Sequence, residues 1–458
     1  MELAAPLLLP TRRGVDRDDD GGGASKAKKY HLQRDGEQLK NTWVDSMFIV
    51  VANVVGIGVL GLAHAFATLG WVYVVLFIVI LCHMLCRWGI LCLGGTLAGS
   101  LYSGLLMTRM KCRVPHAVAY ADLGYEAFGN LGKAFVTLFG YTYITGVCFS
   151  FQLTASLFLK ELTNGLCFVY CAILVAAVVL PLAQYRNFAE MNGIAVVGAL
   201  SILVPVLLIL VDIVWMGRVQ PAAAAAATTS WGNHAPFDTS VVACMDVIFA
   251  MAGHVFFVEI MSEMHNPSDF TKSLVAATSL FAIVYFVMAV VGYAALGAAV
   301  ATPITDNLAN AVTRRWCAAF ILCHIVVAYV MAVMVLARAV EQRVFHRAAE
   351  QSKHASVANR VSWLAITASI VVASFLVSNV LPFVNDLLGF VGAISGVTTT
   401  FVFPFLFAPV LLGNELTSLH ARALQAVAIL SSLVAVVGVT SSVHRMAHSY
   451  QTRAPFSC

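Results

Sequence analysis

Apolar and polar positions divide this chain into long blocks rather than the short alternations of a soluble fold. After a polar stretch over residues 1–40, eleven apolar segments follow at 43–66, 71–93, 133–159, 165–184, 192–216, 239–263, 273–297, 315–339, 361–380, 387–412 and 423–443. A helix needs about 20 apolar residues to cross a hydrocarbon core about 30 Å thick, and these segments meet that length. Backbone polar groups in lipid must bond internally, so helices are the element this pattern predicts. The expected organisation is a disordered cytoplasmic tail at 1–40, an all-α transmembrane domain of eleven helices at 41–443, and a short extracellular or lumenal tail at 444–458. The first tail holds Asp16, Asp18 to Asp20, Gly21 to Gly23 and scattered Lys/Arg, too little apolar surface to order itself.

Composition removes the soluble alternative. Hydrophobic residues make up 60% of the 458, charged residues 11%, and the mean hydropathy is +0.86, against roughly 25% charged in soluble proteins. The lipid bilayer is therefore the expected partner, and a net charge of +4 lends nucleic-acid binding no support. Placement of the charges says more. With the N-terminus inside, 20 Lys/Arg fall on the inner side and 6 on the outer, the bias expected of cytoplasmic loops. An odd number of spans then leaves the C-terminus outside or lumenal. The expected location is the plasma membrane rather than an endomembrane, because Leu7-Leu8-Leu9 lacks the acidic residue that would make it a sorting signal. Cys82, His83 and Cys86 have metal-like spacing, but a lipid-depth helix uses Cys as a small apolar residue, and neither a metal nor a cofactor is expected.

Two segments carry interruptions at mid-membrane depth. The first holds Gly56-Ile57-Gly58 between β-branched residues; the sixth holds Ala250-Met251-Ala252-Gly253-His254, about 196 positions later. Each is the first helix of a five-span block. Non-helical backbone at this depth is tolerated only where protein buries it or where it lines a cavity, and paired interruptions point to a transporter binding site. An unwound helix offers amides at one half's start and carbonyls at the other half's end. A zwitterionic amino acid fits both, its carboxylate on the amides around Gly56, Ile57 and Gly58 and its amine on the carbonyls of Ala250, Met251 and Ala252. Glycines of this kind also serve close helix packing, and that alternative stays open.

Ionisable residues at bilayer depth usually face the bundle interior and serve ion or substrate pathways. His254 and Glu259 on the sixth segment and His324 on the eighth form the candidate proton-coupling set, and hydrogen bonding to a neighbouring helix is the alternative for each. Asp246 lies nearer the outer end, where water can reach it. Tyr143, with Tyr141, is placed to hydrogen-bond a substrate or to pack.

Read end to end, these residues resemble the amino acid/auxin permease family, above all its plant-type members, the lysine-histidine-type and auxin-influx carriers. The resemblance rests on Gly56 to Leu62 with Leu69-Gly70-Trp71, on Phe249 to Glu259 with Phe270-x-Lys272-Ser273, on His324 and Tyr329, and on Asp386 with Gly389-Phe390. It covers about residues 40 to 415. It implies a LeuT-type fold of five plus five inverted repeats with an eleventh helix, helices 1 and 6 broken, and proton-driven import of amino acids by alternating access. Sodium is the other candidate ion. Carriage of auxin-like indoles, GABA or polyamines is the alternative within transport; an amino-acid receptor without net flux is the alternative outside it. An enzyme is not expected, since no paired catalytic carboxylates, metal cluster or nucleophile motif occurs among the spans.

Overall fold

The computed structural model describes residues 41–56, 58–69, 92–221, 227–229, 235–344, 357–381 and 384–449. These are helical apart from turns and two isolated backbone bridges, Asn41 with Met264 and Val219 with Leu308.

Helix α1 (Trp43–Val54) starts at a capping box: the Asp45 amide donates to Thr42 Oγ1 at 3.3 Å, and the Thr42 amide donates to Asp45 Oδ2 at 2.9 Å. It ends at Val55, where φ −77° and ψ 75° leave the helical region. Helix α2 (Gly58–Leu69) resumes at an angle of 51°. The sixth segment divides in the same way into α7 (Phe237–Met251) and α8 (His254–Ser262). Between them lie Ala252, extended at ψ 120°, and Gly253, at φ −158° and ψ 3°. Both expected interruptions are therefore present in the backbone. Ile57 lies outside the described residues.

Most of the expected segment 71–93 lies outside the described residues, and the stretch 94–133 between two expected segments is largely helical. It supplies α3 (Cys92–Arg113) and the start of α4 (Tyr120–Leu162). Hydropathy is lowered in α3 because its inward face mixes small and hydroxyl residues with Leu97, Leu106, Met107 and Met110. Thr96, Ser100 and Ser103 are buried, and a Cβ at Gly104 would lie 2.6 Å from Leu274 and 3.1 Å from Phe257. Helices approach closely in a membrane through such residues.

Helix α4 bends at Phe128 and at Gly129, whose φ of 62° suits a residue without a Cβ. Then come α5 (Phe168–Leu182), α6 (Asn192–Leu210), which runs on into a π-helical turn at Val211–Trp215, and, beyond α8, α9 (Phe270–Leu296), α10 (Ala311–Val344) and α11 (Val357–Val380). Helix α12 (Val384–Val391) connects through π-helical turns at Gly392–Gly396 and Thr398–Val402 to α13 (Phe403–Leu411), and α14 (Ser418–Ser449) closes the bundle. Among the described residues, eight helices are long and apolar enough to cross a membrane, and the bent pair α1 and α2 makes a ninth. The last helix runs six residues past the expected boundary at 443, held by Arg445 Nε on Asp386 at 3.1 Å and His444 Nδ1 on Asp238 at 2.7 Å.

Burial sorts the bundle. The membrane-length stretches of α7 with α8 and of α12 with α13 are 83% buried, against 28% for α11 and 33% for α14. Broken helices thus occupy the interior while α11 and α14 present apolar side chains outward, where burial in lipid costs the fold nothing. Packed on the broken pair are α3, α4, α9 and α10.

Candidate substrate site

The two interruptions pack directly on each other. A Cβ built at Gly58 would lie 2.6 Å from the Ala250 Cβ and 2.8 Å from its Cα, and one at Gly253 would lie 2.5 Å from Val54 Cγ2. Each break thus uses a glycine to let the other approach, so the packing alternative holds for Gly58 and Gly253. Gly56 has more room, with Phe151 3.5 Å away.

The carbonyls expected to meet an amine already accept hydroxyls, one from each of three neighbouring helices. Tyr285 of α9 donates to the Ala250 carbonyl at 2.8 Å, Ser100 of α3 to Met251 at 3.3 Å, and Tyr143 of α4 to Ala252 at 2.5 Å. All three donors are buried. A broken helix leaves such carbonyls without intrahelical partners, and in an apolar interior each must find a donor. On the other break, the Gly56 amide donates to the Val54 carbonyl at 2.8 Å. A carbonyl oxygen has two lone pairs, so the three capped carbonyls keep one acceptor direction each.

Both histidines stand beside a break, fully buried. His254 opens α8, directly after Gly253, and donates from Nε2 to the Ser100 carbonyl at 2.9 Å. His324 of α10 donates from Nδ1 to the Gly198 carbonyl of α6 at 2.8 Å, and the Val55 backbone is its second polar neighbour. Because the contacts are to carbonyls, the bonded nitrogen carries the proton in each ring. The other nitrogens, Nδ1 of His254 and Nε2 of His324, are buried without a hydrogen-bond partner among the described residues.

Glu259 lies in the second turn of α8, five residues past His254, where Arg338, Glu263 and Asp122 are its charged neighbours. That neighbourhood is a polar ring at the Lys/Arg-rich end of the bundle. Arg338 pairs with Glu263 at 2.9 Å and donates to Asn187 at 2.8 Å, Glu263 Oε2 accepts the Ala189 amide at 3.2 Å, and the Asn41 amide reaches the Glu263 carbonyl at 3.4 Å. The three expected coupling residues are therefore divided: two imidazoles at the breaks and one carboxyl at the end ring. Asp246, expected to be hydrated, has its Oδ1 buried without a hydrogen-bond partner among the described residues, with Arg445 and Asp386 as charged neighbours. Sequence reasoning missed Tyr285, Ser100 and Arg338. Of these only Arg338, a charge closing a long apolar segment, left a trace in the sequence.

The sequence pattern of the family described as transmembrane amino acid transporter protein matches residues 40–447. The chain belongs to that family. Within it, the N amino acid transport system protein of Neurospora crassa is 24% identical over 393 residues, covering 84% of this chain and 80% of that one. Amino acid transporter AVT1C of Arabidopsis thaliana is 22% identical over 410 residues, 86% of this chain and 67% of its own. Among solved structures, MhsT in complex with L-phenylalanine aligns with 89% of this chain and 100% of that one at a TM-score of 0.58 and 10% identity. A Na+-coupled sialic acid symporter in its outward-open state aligns over 91% of each chain at a TM-score of 0.50 and 12% identity. This member of the amino acid transporter family thus has the LeuT-type fold and is a secondary transporter of amino acids, a multi-pass membrane protein.

Proposed function

We propose that the chain imports amino acids together with a proton, at the plasma membrane, by alternating access around the facing breaks, with its N-terminus cytoplasmic. The observation that supports this reading best is the pair of buried imidazoles, one beside each break, each holding one proton on a backbone carbonyl. A charge gained at a break alters what its carbonyls and amides hold. The substrate carboxylate goes to the amides of Gly56, Ile57 and Gly58, and its ammonium to the carbonyls of Ala250, Met251 and Ala252. There it competes with the hydroxyls of Tyr285, Ser100 and Tyr143 or uses the free lone pairs. Glu259, inside the end ring, passes the proton onward.

The test is uptake of a panel of radiolabelled amino acids into reconstituted vesicles, under an imposed pH gradient or an imposed sodium gradient. Uptake is expected to rise as external pH falls from about 7.5 to 5.5, because the cosubstrate proton is then more abundant. Accumulation that follows sodium and ignores pH refutes proton coupling, and saturable binding with no flux makes the chain a receptor.

A further inference from the structure

One hydroxyl touches both interrupted helices. Tyr285 Oη lies 3.0 Å from the Val54 carbonyl and 2.8 Å from the Ala250 carbonyl, and the side chain is fully buried. Val54 ends α1, and Ala250 is the penultimate residue of α7, so the two carbonyls belong to the C-terminal ends of the first half of each broken helix. Such ends carry partial negative charge from aligned peptide dipoles. Two of them converging in an apolar interior repel unless something positive lies between, and here it is a single phenolic proton shared by two acceptors.

We propose that Tyr285 ties the two broken helices together: its hydroxyl sets the gap between their carbonyl ends and makes the two unwound stretches open and close as one unit. Tyr285 is a positioning residue, acting on the substrate through the backbone it holds. The supporting geometry is independent of any ligand. Tyr285 reaches across 231 positions to Val54 but only 35 to Ala250, so the tie joins the first half of the chain to the second. Its ring packs beside Phe281 of the same helix, at 5.6 Å between centroids, which leaves the phenol little freedom to leave the gap. Removing the hydroxyl takes this donor from the Ala250 carbonyl and leaves the Val54 carbonyl with the Gly56 amide alone, while the Phe ring that replaces it keeps the volume.

This role in transport rests on the reading of the breaks as the substrate site, whereas the tie itself does not. The experiment therefore has two readouts on Tyr285→Phe, with Tyr293→Phe, another buried tyrosine of α9, as the control. The first is hydrogen–deuterium exchange in detergent without substrate. Amides in 54–61 and in 249–256 are expected to exchange faster together in Tyr285→Phe, with α14 unchanged, and neither stretch to change in Tyr293→Phe. Loosening of one stretch alone, or of none, overturns the tie; faster exchange in α14 as well reduces Tyr285 to a general packing residue and overturns it equally. The second readout is uptake kinetics, where KM is expected to rise roughly tenfold, the equivalent of about 1.4 kcal/mol. An unchanged KM beside correlated loosening keeps the tie and sinks the breaks as the substrate site.

Discussion

Gly58 and Ala250 lie in contact across the centre of the bundle, so close that a Cβ on Gly58 would sit 2.6 Å from the Ala250 Cβ. This glycine is a packing residue whatever else it does. Gly58→Ala forces a shift in one break or the other, and overpacking of this kind costs about 1–3 kcal/mol. The melting temperature in detergent is expected to fall and ligand binding to weaken with it. Gly193→Ala, where an added Cβ meets nothing within 4 Å, is the control and is expected to hold or gain stability. Equal melting temperatures for the two variants would show that the breaks do not press on each other.

Glu259 and the histidines are separable by substitution, because the carboxyl sits among Arg338, Glu263 and Asp122 while the imidazoles sit at the breaks. Glu259→Gln is expected to keep exchange of labelled for unlabelled substrate and to lower the accumulation ratio to about 1, the value for an uncoupled carrier. Accumulation as steep as in the wild type would remove Glu259 from the proton path.

Arg338 is the hub of the end ring, with Glu263 at 2.9 Å and Asn187 at 2.8 Å. Arg338→Gln takes the guanidinium from a Glu263 that is only 8% exposed. The expected loss is about 1.5–3 kcal/mol, toward the low end because the Arg338 side chain is partly open to solvent. Arg338→Lys keeps the charge without the planar fork and is expected to recover part of the melting temperature. If both variants melt with the wild type, the ring is not what closes this end.

Orientation is checked with epitope tags. Tags at residue 20 and at 350 are expected to be cytoplasmic, and tags at 225 and 455 to be reachable from outside, as the 20-to-6 division of Lys/Arg implies. Tags at 225 and 350 reporting the same side would overturn the topology.

The sequence alone determined the helical class, most of the spans and the positions of both interruptions. These follow from local physics: hydropathy over a membrane thickness, and the need of every backbone group in lipid for a partner nearby in the chain. His254 and His324 were legible for the same reason, because an ionisable group in such a run demands an explanation. Only the tertiary structure decided what surrounds them. Helix α3 was missed because hydropathy does not tell a face that meets lipid from one that meets protein, and its buried Thr96, Ser100 and Ser103 look in sequence like a loop. Caps on the Ala250, Met251 and Ala252 carbonyls come from Tyr285, Ser100 and Tyr143, residues 35, 151 and 109 positions away. No periodicity records which distant hydroxyl will fill an acceptor that a broken helix leaves open; that choice is made when the helices pack.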